Sequence, residues 1–242
     1  MTQTASRPRI LWIDTARTVA LLAMAVYHTG FDLELFGRIP PGTMMEPGWR
    51  LFARLIAGTF IALAGVGLYL SHGQGIRWGA FWRRFARIAG AALLVTLGTT
   101  YLLGPEYIFF GILHSIALSS LVGLLFLRMP VPVTLAAAVL ALILPRLVAG
   151  HLDLPWLIWT GLTTFPVYAV DFVPPFPWLA PFLAGLALAK ALGPGHPLFR
   201  PRPQTPASRI LGFPGRHSLA FYLIHQLVLF PLVYGLSWLG LI

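Results

Sequence analysis

A charge inside hydrocarbon is costly unless it meets a partner or a cavity, so the ionisable side chains within apolar runs mark where chemistry belongs. His28 and Asp32 stand four residues apart in one such run, and a helix puts them on one face. A carboxylate one turn from an imidazole can hold its tautomer and stabilise the imidazolium, which is the arrangement of an oriented general base. The alternative is a hydrogen-bonded pair that locks helix packing. His114 closes Phe109-Phe110-Gly111-Ile112-Leu113-His114, expected two turns into a fourth helix at a depth similar to His28, as a site or a packing residue. Asp171 precedes Phe172-Val173-Pro174-Pro175-Phe176-Pro177-Trp178, where prolines stiffen the backbone and aim the carboxylate. Its plainer reading is a helix cap or a solvated loop residue.

Four further groups need an account. Tyr222 lies three residues before His225, which adjoins Gln226, and the set reads as a substrate contact or as a packed histidine. Asp14 and Arg17 form a second pair near the start of the first run, with Asp14 about 21 Å along the helix from His28. Arg54 sits within the second run and is expected to neutralise Asp32 or Asp171 or to touch substrate. Arg83, Arg84 and Arg87 open the third run, where they anchor the helix or grip a phosphorylated ligand through charge-assisted bonds. His72, His151 and His196 fall in expected loops and read as solvated.

The elements that carry these residues follow from composition. The chain has 242 residues, 57% of them hydrophobic and 10% charged, with a mean hydropathy of +0.79. Soluble domains run near 45–50% apolar and about 25% charged, so a water-soluble domain, a disordered tail and a coiled coil are excluded. Apolar runs near the length of a bilayer crossing predict an all-α polytopic membrane protein of about seven transmembrane helices, with an eighth conceivable. They are Ile10–Phe36, Trp49–Ser71, Phe85–Leu103, Tyr107–Leu127, Val131–Ala149, Trp178–Leu192 and His217–Leu239. One transmembrane domain over residues 1–242 is expected, its first run retained rather than cleaved.

Seven crossings with a cytoplasmic N-terminus place 13 of the 17 Lys and Arg inside, including Arg7, Arg9 and Arg202. Leu152–Pro177 is expected to fold over the outer mouth, and Gly193–Pro214 reads as a plain inner linker. The net charge of +10 then answers to anionic lipid headgroups, and no nucleic-acid partner is expected. The absence of cysteine excludes disulfides, thiolate metal sites and a cysteine acyl-enzyme. No Walker loop, dinucleotide fingerprint or HExxH is present, and no metal is expected. Ala89–Ala92 and Ala136–Ala138 offer small-residue surfaces for packing within a chain or between copies in a homo-oligomer.

Five segments in order resemble the bacterial branch of the heparan-α-glucosaminide N-acetyltransferase-like family, within the transmembrane acyltransferase superfamily. They are Ile13-Asp14-Thr15-Ala16-Arg17, His28-Thr29-Gly30-Phe31-Asp32-Leu33, and the run from Phe109 to His114. Asp171 to Trp178, leading to Gly185, is the fourth, and Gly215-Arg216-His217-Ser218-Leu219 with Tyr222, His225 and Gln226 is the fifth. Thr18 stands where the family tends to have Gly.

The resemblance implies acetyl transfer from cytoplasmic acetyl-CoA to an amine or hydroxyl of a small molecule or glycan beyond the bacterial inner membrane. It also implies an intramembrane histidine as base or acetyl carrier. On it, Arg17, Arg83, Arg84 and Arg87 suit the CoA phosphates. His28 is the base beside Asp32, His114 or a backbone N–H the oxyanion donor, and Asp171 a positioning group. Arg54, Tyr222, His225 and Gln226 line the acceptor. The rival readings are a proton-coupled transporter or flippase using the same His and Asp as a relay, and a scaffold held by polar pairs.

Overall fold

The computed structural model describes residues 10–201, 203 and 205–242, so Arg7, Arg9 and Arg202 lie outside the described residues. Among the described residues the chain is helical and has no strand. The helices are α1 (Leu11–Leu35), α2 (Pro47–His72), α3 (Trp78–Leu103), α4 (Ile112–Phe126) and α5 (Val131–Leu147). After them come α6 (Pro175–Leu192), α7 (Pro206–Leu211), α8 (Phe213–Arg216) and α9 (Ser218–Trp238).

Among the described residues, four stretches are long and apolar enough to cross a membrane: Pro47–His72, Trp78–Glu106, Pro175–Leu192 and Ser218–Trp238. α1 is as long, at 25 residues, but carries Asp14, Arg17, Asp32 and Glu34. α4 and α5 are apolar and shorter, at 15 and 17 residues. Only 6% of the most apolar window of α9 is buried, and Leu227, Val228 and Leu232 stand open on it. So broad a bare apolar face is suited to lipid.

Several expected boundaries need correction. α3 begins at Trp78, so Arg83, Arg84 and Arg87 lie inside it rather than at its start. α4 begins at Ile112, because Gly111 sits in extended backbone as its N-cap. His114 is therefore in the first turn of α4, not two turns in. Leu152–Pro177 holds a short 3₁₀ turn at Pro155–Thr160 and the start of α6, and no further span. Gly193–Pro214 is more than a linker, since it contains α7 and leads into α8, which packs on α1. His72 is buried at the end of α2, where its Nδ1 accepts the Arg77 N–H at 3.3 Å, and is not solvated.

The chain divides into two compact units. The first holds α1, α2 as far as Ile56, and the chain from Pro194 onward. Here α1 buries Ile13, Ala20, Leu21 and Met24, and runs parallel to α9. Thr18 joins the near ends, donating to the Asp14 carbonyl at 3.1 Å and accepting the Gly215 N–H at 2.9 Å. A Cβ at Gly215 would lie 1.8 Å from the Asp14 carbonyl oxygen, so only glycine lets these backbones approach. At the far ends Phe36 meets Phe230 and Tyr234, with ring centroids 5.3 and 5.5 Å away. Arg38 there donates to the Ser237 hydroxyl at 3.1 Å and to its carbonyl.

The second unit is Ala57–Gly193. Its core is Phe182, Leu183 and Leu186 of α6, fully buried, with Ile61 and Leu68 of α2. Gly65 and Gly185 bring α2 and α6 together, since a Cβ on either would fall within 2.2 Å of a carbonyl oxygen of the other helix. Lys190 Nζ ties the ends of α4 and α5, donating to the Phe126 carbonyl at 2.7 Å, the Met129 carbonyl and the Thr134 hydroxyl at 3.1 Å.

Candidate functional site

In the first unit, α1 and α9 bring His28, Asp32, Tyr222, His225 and Gln226 together. Asp32 is 1% exposed, and its Oδ1 accepts the Gln226 amide N–H at 2.7 Å. Its partner is thus on α9, not the His28 imidazole expected one turn away. The His28 ring instead faces His225, with centroids 4.8 Å apart and planes at 57°. His225 Nδ1 lies 2.5 Å from the Tyr222 carbonyl oxygen, and the two rings are 5.7 Å apart. A carbonyl oxygen can only accept, so Nδ1 carries the proton and the neutral ring keeps its lone pair on Nε2.

Three buried atoms of this cluster have no hydrogen-bond partner: Asp32 Oδ2, His225 Nε2 and Gln226 Oε1. In the tautomer just given, all three are acceptors. Burying an acceptor without a donor costs roughly 1–3 kcal/mol, so a donor-rich group placed against these three would relieve a cost. An ammonium, an amine or vicinal hydroxyls would supply those donors.

The second unit holds His114 and Asp171 in a different state. Gly111 N–H donates to His114 Nδ1 at 3.2 Å, the reciprocal half of a capping box. The proton is then on Nε2, which lies 3.2 Å from the Thr96 hydroxyl, and Thr96 donates onward to the Ile108 carbonyl at 2.7 Å. Thr99 accepts the Ile108 N–H at 3.0 Å. Both nitrogens of His114 are engaged in holding the start of α4. Asp171 Oδ2 accepts the Ile112 N–H at 3.3 Å, a carboxylate on a helix N-terminus, where the macrodipole favours it. Burial pushes the Asp171 carboxyl up to about 6, with the Ile112 N–H pulling the other way.

The candidate arginines lie on α1, α2 and α3. Arg17 is half-buried on α1, and Arg54 is exposed on the first part of α2, while Asp32 takes its bond from Gln226. Arg83 and Arg87 are exposed on α3, with Arg87 Nε donating to the Arg83 carbonyl at 3.3 Å. Arg84 borders a small cavity with Leu68, Phe81, Phe85 and Ser120. Among the described residues no group of three His, Cys, Asp or Glu could hold a metal ion.

Reading the sequence missed Thr96 and Thr99, whose signal is a pair of hydroxyls three apart in an apolar helix. It also missed that Thr18 carries the contact with Gly215.

The family model described as Heparan-alpha-glucosaminide N-acetyltransferase, catalytic, matches residues 9–227. No curated protein and no solved structure matches the chain. The matched stretch runs through both units and ends one residue past Gln226, so it takes in every residue of the α1–α9 cluster. On that coverage, the chain belongs to the heparan-α-glucosaminide N-acetyltransferase catalytic family of membrane acetyltransferases.

Proposed function

We propose that this protein moves an acetyl group from acetyl-CoA to an amine or hydroxyl of a sugar or glycan on the far side of a bacterial cytoplasmic membrane. The observation that carries the reading is the set of donorless buried acceptors at Asp32, His225 and Gln226 beside the His28 imidazole. An amine or hydroxyl acceptor fills that deficit, and the thioester carbonyl alone does not.

Aminolysis of a thioester needs a group to take the acceptor's proton and donors for the tetrahedral oxyanion. His28 serves as base or as transient acetyl carrier, a role an imidazole can fill in a chain without cysteine. Asp32, held by Gln226, attracts a cationic acceptor. Tyr222 and His225 line the same cluster, and Arg54 on α2 serves as an outlying acceptor contact. Arg17, Arg83, Arg84 and Arg87 are the proposed partners of the CoA phosphates, since guanidinium forks suit phosphate oxygens. His114 and Asp171 order the start of α4.

The test is transfer of labelled acetyl from acetyl-CoA by the full chain in lipid nanodiscs, offered amino sugars and neutral sugars. Label in the sugar is the expected result. Absence of transfer to every amine and hydroxyl, with the protein folded, overturns the reading.

A further inference from the structure

If the acetyl group pauses on His28, a second base must take the acceptor's proton. A ring nitrogen that bears the acetyl group, or that has just received a proton, is not free to take another. The cluster supplies a second imidazole already set for the proton. The Tyr222 carbonyl holds the His225 Nδ1–H at 2.5 Å, which leaves Nε2 bare, buried and without a partner. Its ring lies 4.8 Å from that of His28, and Gln226, the next residue, holds Asp32 at 2.7 Å.

We propose that His225 is a catalytic residue whose Nε2 takes the proton from the attacking amine or hydroxyl, with the Tyr222 carbonyl fixing its tautomer. The assignment rests on the acetyl-transfer reading and deepens it. In the step, the acceptor nitrogen or oxygen forms a bond to the acetyl carbon while its proton passes to His225 Nε2. The tetrahedral oxyanion then collapses. The carbon–sulfur bond of the thioester breaks, or the carbon–nitrogen bond if the acetyl group has paused on His28. His225 returns its proton to the departing thiolate or to the His28 nitrogen, and neither route needs an oxidant, a reductant or a metal.

The experiment compares wild type, His225→Gln and His225→Gly as full chains in nanodiscs, with labelled acetyl-CoA and an amino-sugar acceptor. Gln keeps a polar side chain but cannot take a proton. A drop in kcat of about 10²–10⁴-fold is expected, with KM within a few-fold and an unchanged melting profile. Added imidazole should restore transfer to His225→Gly in a saturable way, which a packing role would not produce. His225→Gln with kcat within threefold of an active wild type overturns the assignment and leaves the acetyl-transfer reading standing. Loss of activity that follows loss of melting temperature, with no rescue by imidazole, also overturns it. A folded wild type that transfers no acetyl overturns both.

Discussion

Two histidines on apolar helices, His225 and His114, have opposite fates. His114 spends both ring nitrogens on its own surroundings, taking the Gly111 N–H and facing the Thr96 hydroxyl. His225 spends one on the Tyr222 carbonyl and leaves the other with nothing. The residue type is the same, and so is the apolar setting. What differs is whether local backbone and hydroxyl groups meet the whole hydrogen-bonding capacity of the ring. A saturated network holds a helix end. An unsaturated one is a standing cost to the fold that a ligand relieves. Burial of an ionisable group therefore says where to look, and unmet valences on neighbouring side chains are what support the α1–α9 cluster as the proposed site.

The sharpest way to break this contrast is to exchange the two regions in one experiment. His28→Gln should lower acetyl transfer by about 10²–10⁴-fold with little change in melting. His114→Gln should leave transfer per folded molecule within a few-fold while lowering stability by about 1–3 kcal/mol. Kinetics and melting curves on the same preparations decide it, and a large kinetic loss in His114→Gln would erase the distinction.

The scaffold under the first region is next. Gly215→Ala drives a Cβ into the Asp14 carbonyl, where both groups are backbone and neither can swing aside. A loss of about 3 kcal/mol is expected, at the upper end of overpacking costs, with weaker binding of acceptor because α8, which leads into α9, is pushed off α1. Thr96→Val tests the second region more gently. It removes the bond to Ile108 and the contact with His114, and should cost about 1–2 kcal/mol without loss of transfer.

The smallest expected effect is a pH dependence. The Asp171 carboxyl sits at about 6 in the folded chain against 3.8 for an ordinary aspartate, so the folded state binds its proton more tightly than the unfolded state does. Its contribution to stability is fully present below about 4 and is lost as pH rises towards about 6. Melting temperatures should decline over that window, and Asp171→Asn should flatten the decline. A slope unchanged in Asp171→Asn would assign it to another group.

Particular residues show how much of this was legible. His28, Asp32, His225 and Gln226 stood out because hydrocarbon has no use for them, and periodicity put them on helices. The partner of Asp32 did not stand out, because Gln226 is 194 residues away and nothing local selects it over His28. Gly111 was visible, but its work as an N-cap was not. The apolar run Tyr107–Phe110 reads as more helix, but its backbone bonds are met elsewhere, by the hydroxyls of Thr96 and Thr99 at Ile108 and by the Val173 N–H at the Phe110 carbonyl. Thr18 looked like a departure from the family pattern, and it proves to be the hydroxyl that accepts the Gly215 N–H.

By itself the sequence determined that this chain is an all-helical membrane protein with a few ionisable groups embedded in apolar helices, and to which family it belongs. Hydrophobic periodicity and the cost of charge in hydrocarbon are properties of segments, so they can be read segment by segment. Which of those groups is saturated and which is left open was decided only by tertiary structure. The Tyr222–His225 and Gly111–His114 bonds join residues three apart but depend on where each helix starts, and the Gln226–Asp32 bond joins residues 194 apart, so distance and direction in the folded chain settle them.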